Sequence, residues 1–167
     1  MTTVEKDLAT VQVYRVWIKA TPQAIWDAIT DPDWTDRYGY QGRVAFDLRP
    51  GGSFKAGASA DMKAYGSPDV VVDGEVIESD PPRKLVQTWH PIWSEEAAAE
   101  RPTRLTYEIE EGENGVTKLT LTHDVEGAPS VAVMVSGGLE HTGAGGGWAF
   151  VLSDLKSLLE TGSPLAG

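Results

Sequence analysis

The sequence contains no cysteine. That single absence excludes disulfides, thiolate metal sites and cysteine nucleophiles together. It fits a reducing compartment, and a cytoplasmic location is the expectation. Basic residues are scarce as well: 14 Lys and Arg stand against 25 Asp and Glu, for a net charge of −11. A surface of that sign repels phosphate backbones and anionic bilayers, so neither nucleic acid nor a membrane is expected as a partner. The charge is read as serving solubility. Long apolar runs are also missing. The longest, residues 131–135, is far short of the ~20 residues a membrane-spanning helix needs. Residues 1–7 hold no basic stretch followed by an apolar run, so a signal peptide is not expected. No internal repeat and no dividing linker occur, and 167 residues suit one domain. The expected organisation is a tail over 1–10, one domain over 11–160 and a second tail over 161–167.

Aromatic residues, by contrast, are plentiful: six Trp, five Tyr and three Phe. Aromatics mostly fill cores, and Trp is also a good wall for an apolar ligand. The apolar pattern alternates with period 2 over 11–19, where Tyr14, Val16 and Ile18 share one face and Arg15, Trp17 and Lys19 the other. Thr21-Pro22 then opens a helix, Thr21 as N-cap and Pro22 where its missing N–H does no harm. Ile25, Trp26 and Ile29 form its apolar stripe, and Asp31-Pro32 ends it. A short second helix is expected within 32–42.

Further strands are expected over 43–49, with Val44, Phe46 and Leu48 on one face, over 53–58, over 70–78 with a bulge or bend at Gly74, and over 85–90. An exposed helical turn follows at 94–100. Strands over 103–110 and 116–123 flank the hairpin signal Asn114-Gly115. Residues 127–147 read as a linker of glycine and small residues. In the final helix Trp148, Val151, Leu152, Leu155, Leu158 and Leu159 make one face, and Ser153, Asp154, Lys156, Ser157 and Glu160 the other. Gly162 and Pro164 stop it. The expected fold class is α+β: a curved antiparallel sheet, apolar on one face, wrapped around a long C-terminal helix. A twisted sheet cannot contact a straight helix along its whole length, so a cavity between them is expected.

Several segments carry a family resemblance in their order and spacing. They are Ala20-Thr21-Pro22, Ile25-Trp26 and Thr30-Asp31-Pro32, then Asp47-Leu48-Arg49-Pro50-Gly51-Gly52. The stretch from Gly74-Glu75-Val76 through Asp80-Pro81-Pro82-Arg83-Lys84-Leu85 follows, then Trp89, residues 117–123 and Gly147-Trp148. Together they resemble the START-like, helix-grip superfamily, and within it proteins similar to the activator of the heat-shock ATPase, a group related to polyketide cyclases. The resemblance spans roughly residues 12 to 160. It implies a pocket between sheet and final helix. It does not imply one activity, since members act as lipid carriers, cyclases or co-chaperones. The linker before Trp148 departs from the family pattern in its length and glycine content.

The expected function is binding of a small hydrophobic or aromatic molecule in that cavity. Phe46, Phe54, Trp89, Tyr107, Trp148 and Leu152 are expected to face inward, with Trp34 and Tyr38 near the mouth. Trp89 and Tyr107 bring polar tips that orient a ligand. His123 shares the apolar face of Leu119 and Leu121; it is read as a polar anchor, an acid–base group or, preferred over these, a buried histidine bonded to backbone. The other histidines, His90 and His141, complete no zinc spacing with it, so no metal is expected. The run 143–147 lacks dinucleotide spacing, and no Lys or Arg occurs between His123 and Asp154. It reads as a hinge or packing loop rather than a phosphate cradle, and no cofactor is expected. No nucleophile elbow occurs. Two alternatives to simple binding are a cyclase- or dehydratase-like enzyme using His123, Tyr107 or Arg37, and a co-chaperone-like interaction module. Residues 131–135 are read as a lid, an edge strand or a homodimer contact.

Overall fold

The computed structural model describes residues 10–142 and 146–165. Strand β1 (Val11–Ile18) leads into helix α1 (Pro22–Thr30) and the short α2 (Pro32–Thr35). Strands β2 (Val44–Phe46) and β3 (Ser53–Gly57), a short helix α3 (Ala60–Ala64) and strands β4 (Val70–Asp80) and β5 (Lys84–Pro91) follow. Helix α4 (Glu95–Ala99), strands β6 (Thr103–Glu111) and β7 (Thr117–Asp124), helix α5 (Pro129–Val135), a 3-10 turn (Glu140–Thr142) and the long α6 (Gly147–Thr161) complete the chain. All seven strands form one antiparallel sheet in the order β1-β7-β6-β5-β4-β3-β2. This is the helix-grip architecture.

Local chemistry explains most boundaries. The Thr21 hydroxyl accepts the Ala24 N–H at 3.1 Å, with Pro22 opening α1. Asp31 leaves helical geometry before Pro32 and then caps α2 by accepting the Asp33 N–H at 2.9 Å. Asn114 and Gly115 both take positive φ, as a tight hairpin turn between β6 and β7 requires. The bulge in β4 falls between Val76 and Glu78, not at Gly74. Gly74 serves close approach instead: a Cβ there would sit 2.0 Å from the Thr88 carbonyl oxygen.

The inner face of the sheet buries Ile18, Val76, Leu85, Leu105, Ile109, Leu119 and Leu121 against Ile25, Trp26 and Ile29 of α1 and Leu152 and Leu155 of α6. Tyr14 and Val16 turn inward, while Trp17, on the opposite face of β1, is 55% exposed. A second cluster under α5 gathers Val125, Ala128, Val131, Ala132 and Val135. The segment expected as linker therefore holds a helix, because its Val and Ala residues find an apolar seat. Strand β2 ends at Phe46, leaving Leu48 exposed rather than inward.

Asp154 was expected on the solvent face of the last helix and is buried instead. Its carboxylate accepts the Gly39 N–H at 2.8 Å and the Leu165 N–H. A burial of this kind is tolerable because charge-assisted bonds replace water. Nearer the C-terminus of α6, Glu160 accepts the Lys19 N–H, and the Lys156 ammonium donates to the Trp17 carbonyl. These contacts tie the helix to the end of β1. Residues 143–145 of the glycine run and residues 1–9 of the expected tail lie outside the described residues.

An Asp154→Ala variant is expected to lose about 2–3 kcal/mol of stability, because it strands a backbone N–H that the carboxylate satisfied. Urea unfolding measures it. A loss below ~0.5 kcal/mol, the range of an ordinary surface change, would show that these bonds contribute little.

Candidate functional site

Between the β2–β5 half of the sheet and the first turns of α6 lies a pocket of about 530 Å3. Alternation places its walls. Val44 and Phe46 of β2, Phe54 and Ala56 of β3, Trp89 of β5 and Tyr107 of β6 all point to the inner face. Trp148 and Val151 descend from α6, one helical turn apart. The Phe46 and Phe54 rings lie 4.7 Å apart, directly across the β2–β3 pair. Trp89 is the hub of the remainder, 5.6 Å from Trp148, 6.0 Å from Trp93 and 5.1 Å from the His123 ring.

A chain of hydrogen bonds sets the position of this hub. The Trp148 indole N–H, which can only donate, bonds His123 Nδ1 at 3.0 Å. The histidine proton therefore sits on Nε2, facing Thr103 Oγ1 at 2.7 Å. The Thr103 hydroxyl in turn donates to the Trp89 carbonyl at 2.6 Å. Each group has one role, and the chain runs from helix to sheet without a gap. Burial pulls the His123 imidazole down from 6.5 to about 4, opposed weakly by the nearby Asp124. It is a neutral strut at physiological pH.

The mouth is built from residues 38–42 and α5. The Tyr38 hydroxyl donates to the Ala28 carbonyl at 2.8 Å, and the Tyr40 hydroxyl accepts the Gly147 N–H at 3.1 Å. Gly147 takes φ +71°, and a Cβ there would meet the Val135 carbonyl oxygen at 2.2 Å. Only glycine allows α6 to start so close to α5. Met134 and Val135 add to the wall. None of the described residues lining the pocket carries a formal charge. Burial pushes the Tyr38 hydroxyl well above its ordinary range, helped by the neighbouring Tyr107 phenol. Burial does the same to Tyr107. Both remain protonated hydrogen-bond donors.

Six of the expected ligand-facing residues come together here: Tyr38, Phe46, Phe54, Trp89, Tyr107 and Trp148. Three do not line the space. Trp34 packs against the main core and carries the Arg37 guanidinium over its ring at 4.7 Å, which also takes Arg37 away from the pocket. Leu152 belongs to the sealed core deeper along α6, and His123 lies fully buried behind the two tryptophans. Trp93, Met134 and Gly39 were not anticipated. Met134 lies inside the 131–135 segment, for which a lid, an edge strand and a self-association contact are all open readings and which forms part of helix α5, whereas nothing local marks Trp93. His90 is held by the Ala98 and Glu100 carbonyls, far from the His123 arrangement in role. Among the described residues no cluster of three His, Asp or Glu side chains fits a metal ion.

Unfolded, the His123 imidazole takes up its proton near pH 6.5; folded, only near pH 4. Between those values the unfolded chain binds more protons, so this contribution is complete above the window and is lost as pH falls through it. The loss amounts to about 3 kcal/mol across the window. A His123→Gln variant, which keeps one donor and one acceptor, is expected to show a flatter decline between pH 7.5 and 4.5 in urea midpoints. Identical pH dependence of the two proteins would rule out the neutral-strut state.

With the geometry in view, the likenesses can be placed. No curated protein matches the chain. Among solved structures, CalU16 from Micromonospora echinospora is 24% identical, with a TM-score of 0.56 over 78% of this chain and 69% of that one. MLL2253 from Mesorhizobium loti is 21% identical, with a TM-score of 0.66 over 90% and 96% of the two chains. The Aha1 dimer from Colwellia psychrerythraea is 20% identical, with a TM-score of 0.62 over 91% and 97%. At such identities these structures share the fold. The family model described as "Activator of Hsp90 ATPase homolog 1-like protein" matches residues 19–160, most of the sequence. The chain belongs to the Activator of Hsp90 ATPase homolog 1-like family.

Proposed function

We propose that the protein binds a small, neutral, largely aromatic or apolar molecule in the pocket between the β2–β5 half of the sheet and the start of α6. The observation that supports this most directly is a space of about 530 Å3 walled by Phe46, Phe54, Trp89, Tyr107 and Trp148. Ligand sites commonly occupy ~300–1,000 Å3 and combine apolar walls with a few polar groups. Burying about 300 Å2 of apolar ligand surface contributes roughly 7 kcal/mol before association costs. After an association cost of ~4 kcal/mol or more, burial alone leaves affinity in the millimolar range, so ring stacking and hydrogen bonds to the wall must supply any tighter binding. A cytoplasmic setting, expected from the sequence, is carried with this proposal.

An enzyme role has less support. His123, the strongest acid–base candidate, has both ring nitrogens engaged and is held neutral. Arg37 stacks on Trp34 instead of presenting a charge to the pocket. A co-chaperone role draws on the family description alone. The 131–135 segment offers little for self-association, since Val131, Ala132 and Val135 are buried and only Val133 is well exposed.

Titration with Nile red, an uncharged solvatochromic dye, tests the binding role. A saturable one-to-one complex with blue-shifted emission is expected. Ala56 lines the pocket, and Ala56→Phe fills part of it. That variant, with an unaltered circular dichroism spectrum, is expected to weaken dye binding by roughly tenfold or more. Equal dye binding by variant and parent, or no saturable binding by the parent, overturns the proposal.

A further inference from the structure

The pocket's polar groups differ sharply in what they have left to offer. The Tyr38 hydroxyl gives its proton to the Ala28 carbonyl. The Thr35 hydroxyl sits between the Pro32 carbonyl and the Val44 N–H. The Trp148 indole N–H is committed to His123. Other lining groups are uncommitted: toward the mouth the Gln41 amide and the Tyr40 hydroxyl proton, elsewhere the Ser67 hydroxyl and the Trp93 indole N–H, and on the inner face of the sheet the Tyr107 hydroxyl and the Trp89 indole N–H. Neither the Tyr107 hydroxyl nor the Trp89 indole N–H has a hydrogen-bond partner among the described residues. Neither is among the fully enclosed polar atoms lacking a partner, which are Ser79 Oγ and Gln87 Oε1. Both groups line the pocket without being fully enclosed; the indole N–H can only donate, and the phenol can donate while its oxygen also accepts.

Charge narrows the ligand further. The described lining holds no Lys, Arg or His, so an anionic guest would find no counter-charge. The molecule as a whole carries −11 and adds repulsion. Moving a carboxylate from water into such a site costs several kcal/mol unless it is paired. A neutral acceptor, such as a ketone, quinone or ether oxygen, faces no such cost and satisfies an otherwise unused donor.

Resting on the binding role proposed above, we infer that Tyr107 is the specificity-determining residue: its hydroxyl selects aromatic ligands that carry a neutral oxygen acceptor and discriminates against carboxylates. Tyr107 is well placed for this. It stands opposite Leu85 in the β5–β6 pair, so its ring is anchored in the inner face of the sheet. Its burial keeps the phenol protonated, and so a donor, across the working pH range. The Trp89 N–H provides a second donor further along the same wall, for ligands long enough to reach both. The ligand class is therefore a polycyclic or extended aromatic with one or two carbonyl or ether oxygens and no ionised group.

Three naphthalenes of one shape separate the possibilities: 2-ethylnaphthalene, 2-acetylnaphthalene and 2-naphthoate, titrated into the full chain at pH 7.5 by calorimetry. Parent protein is expected to bind the ketone best, the hydrocarbon next and the carboxylate at least tenfold more weakly than the ketone. Tyr107→Phe keeps the ring and removes only the hydroxyl. It is expected to weaken the ketone roughly three- to tenfold while leaving the hydrocarbon unchanged. Thermal unfolding of the variant confirms that it is folded. If the hydrocarbon binds but Tyr107→Phe leaves the ketone's affinity intact, or weakens both ligands equally, Tyr107 is not the selector and the pocket still stands. If the carboxylate binds as tightly as the ketone, selection against charge is wrong. If none of the three binds the parent protein, the pocket role itself fails, and this inference falls with it.

Discussion

The contact on which the pocket depends is the bond from the Trp148 indole N–H to His123 Nδ1. Through Thr103 it continues to the Trp89 backbone, so the first turn of α6 and the centre of the sheet are joined by directional bonds as well as by apolar packing. Directional bonds fix distance and angle, which a purely apolar contact does not. The two largest rings of the wall are thereby held in place instead of closing on whatever space is available. Because the Trp148 indole N–H, both His123 ring nitrogens and the Thr103 hydroxyl are all paired inside an apolar setting, the arrangement is rigid, and protonating the imidazole breaks it.

The same helix meets the sheet differently along its length. Toward its C-terminal end Leu152 and Leu155 interlock with Leu119, Leu121 and α1, leaving no room for a guest. Toward its N-terminal end the sheet turns away through β4, β3 and β2, and the side chains facing α6 surround a space instead of filling it. The mouth follows from backbone economy. Gly39 and Tyr40 reach α6 through Asp154 and Gly147, and the absence of a side chain at Gly147 lets α5 and α6 nearly touch. Helix α5 is itself secured by Glu100, whose carboxylate accepts the Ser130 and Val131 N–H groups at its start.

Family membership and fold agree with this arrangement without deciding its chemistry. The family description concerns activation of a chaperone ATPase, and the fold is shared by proteins about 20% identical. A fold at that distance sets where a cavity can form; side chains at its wall set what the cavity holds. Here those side chains are largely aromatic or aliphatic, and none in the described lining carries a charge.

Alternation and helical spacing were sufficient to place nearly every long element, because period-2 and period-3.6 burial are written directly into which residues are apolar. Alternation assigned Phe46 and Tyr107, and helical spacing Trp148, to the inner face. Three features escaped it for distinct physical reasons. Asp154 is buried because loops distant in sequence bring it N–H donors, which no local pattern reveals. Trp34 and Leu152 share the apolar character of wall residues, yet only the course of the sheet determines which apolar groups meet each other and which face a void. The role of His123 depended on two partners, 20 and 25 residues away, that turned an apparent acid–base group into a neutral strut. The sequence by itself determined the sheet, its inner face and the final helix, since those follow from residue polarity at fixed spacing. The open space, its mouth and the hydrogen bonds left unused were decided by the tertiary structure, since each depends on groups that meet only when distant segments converge.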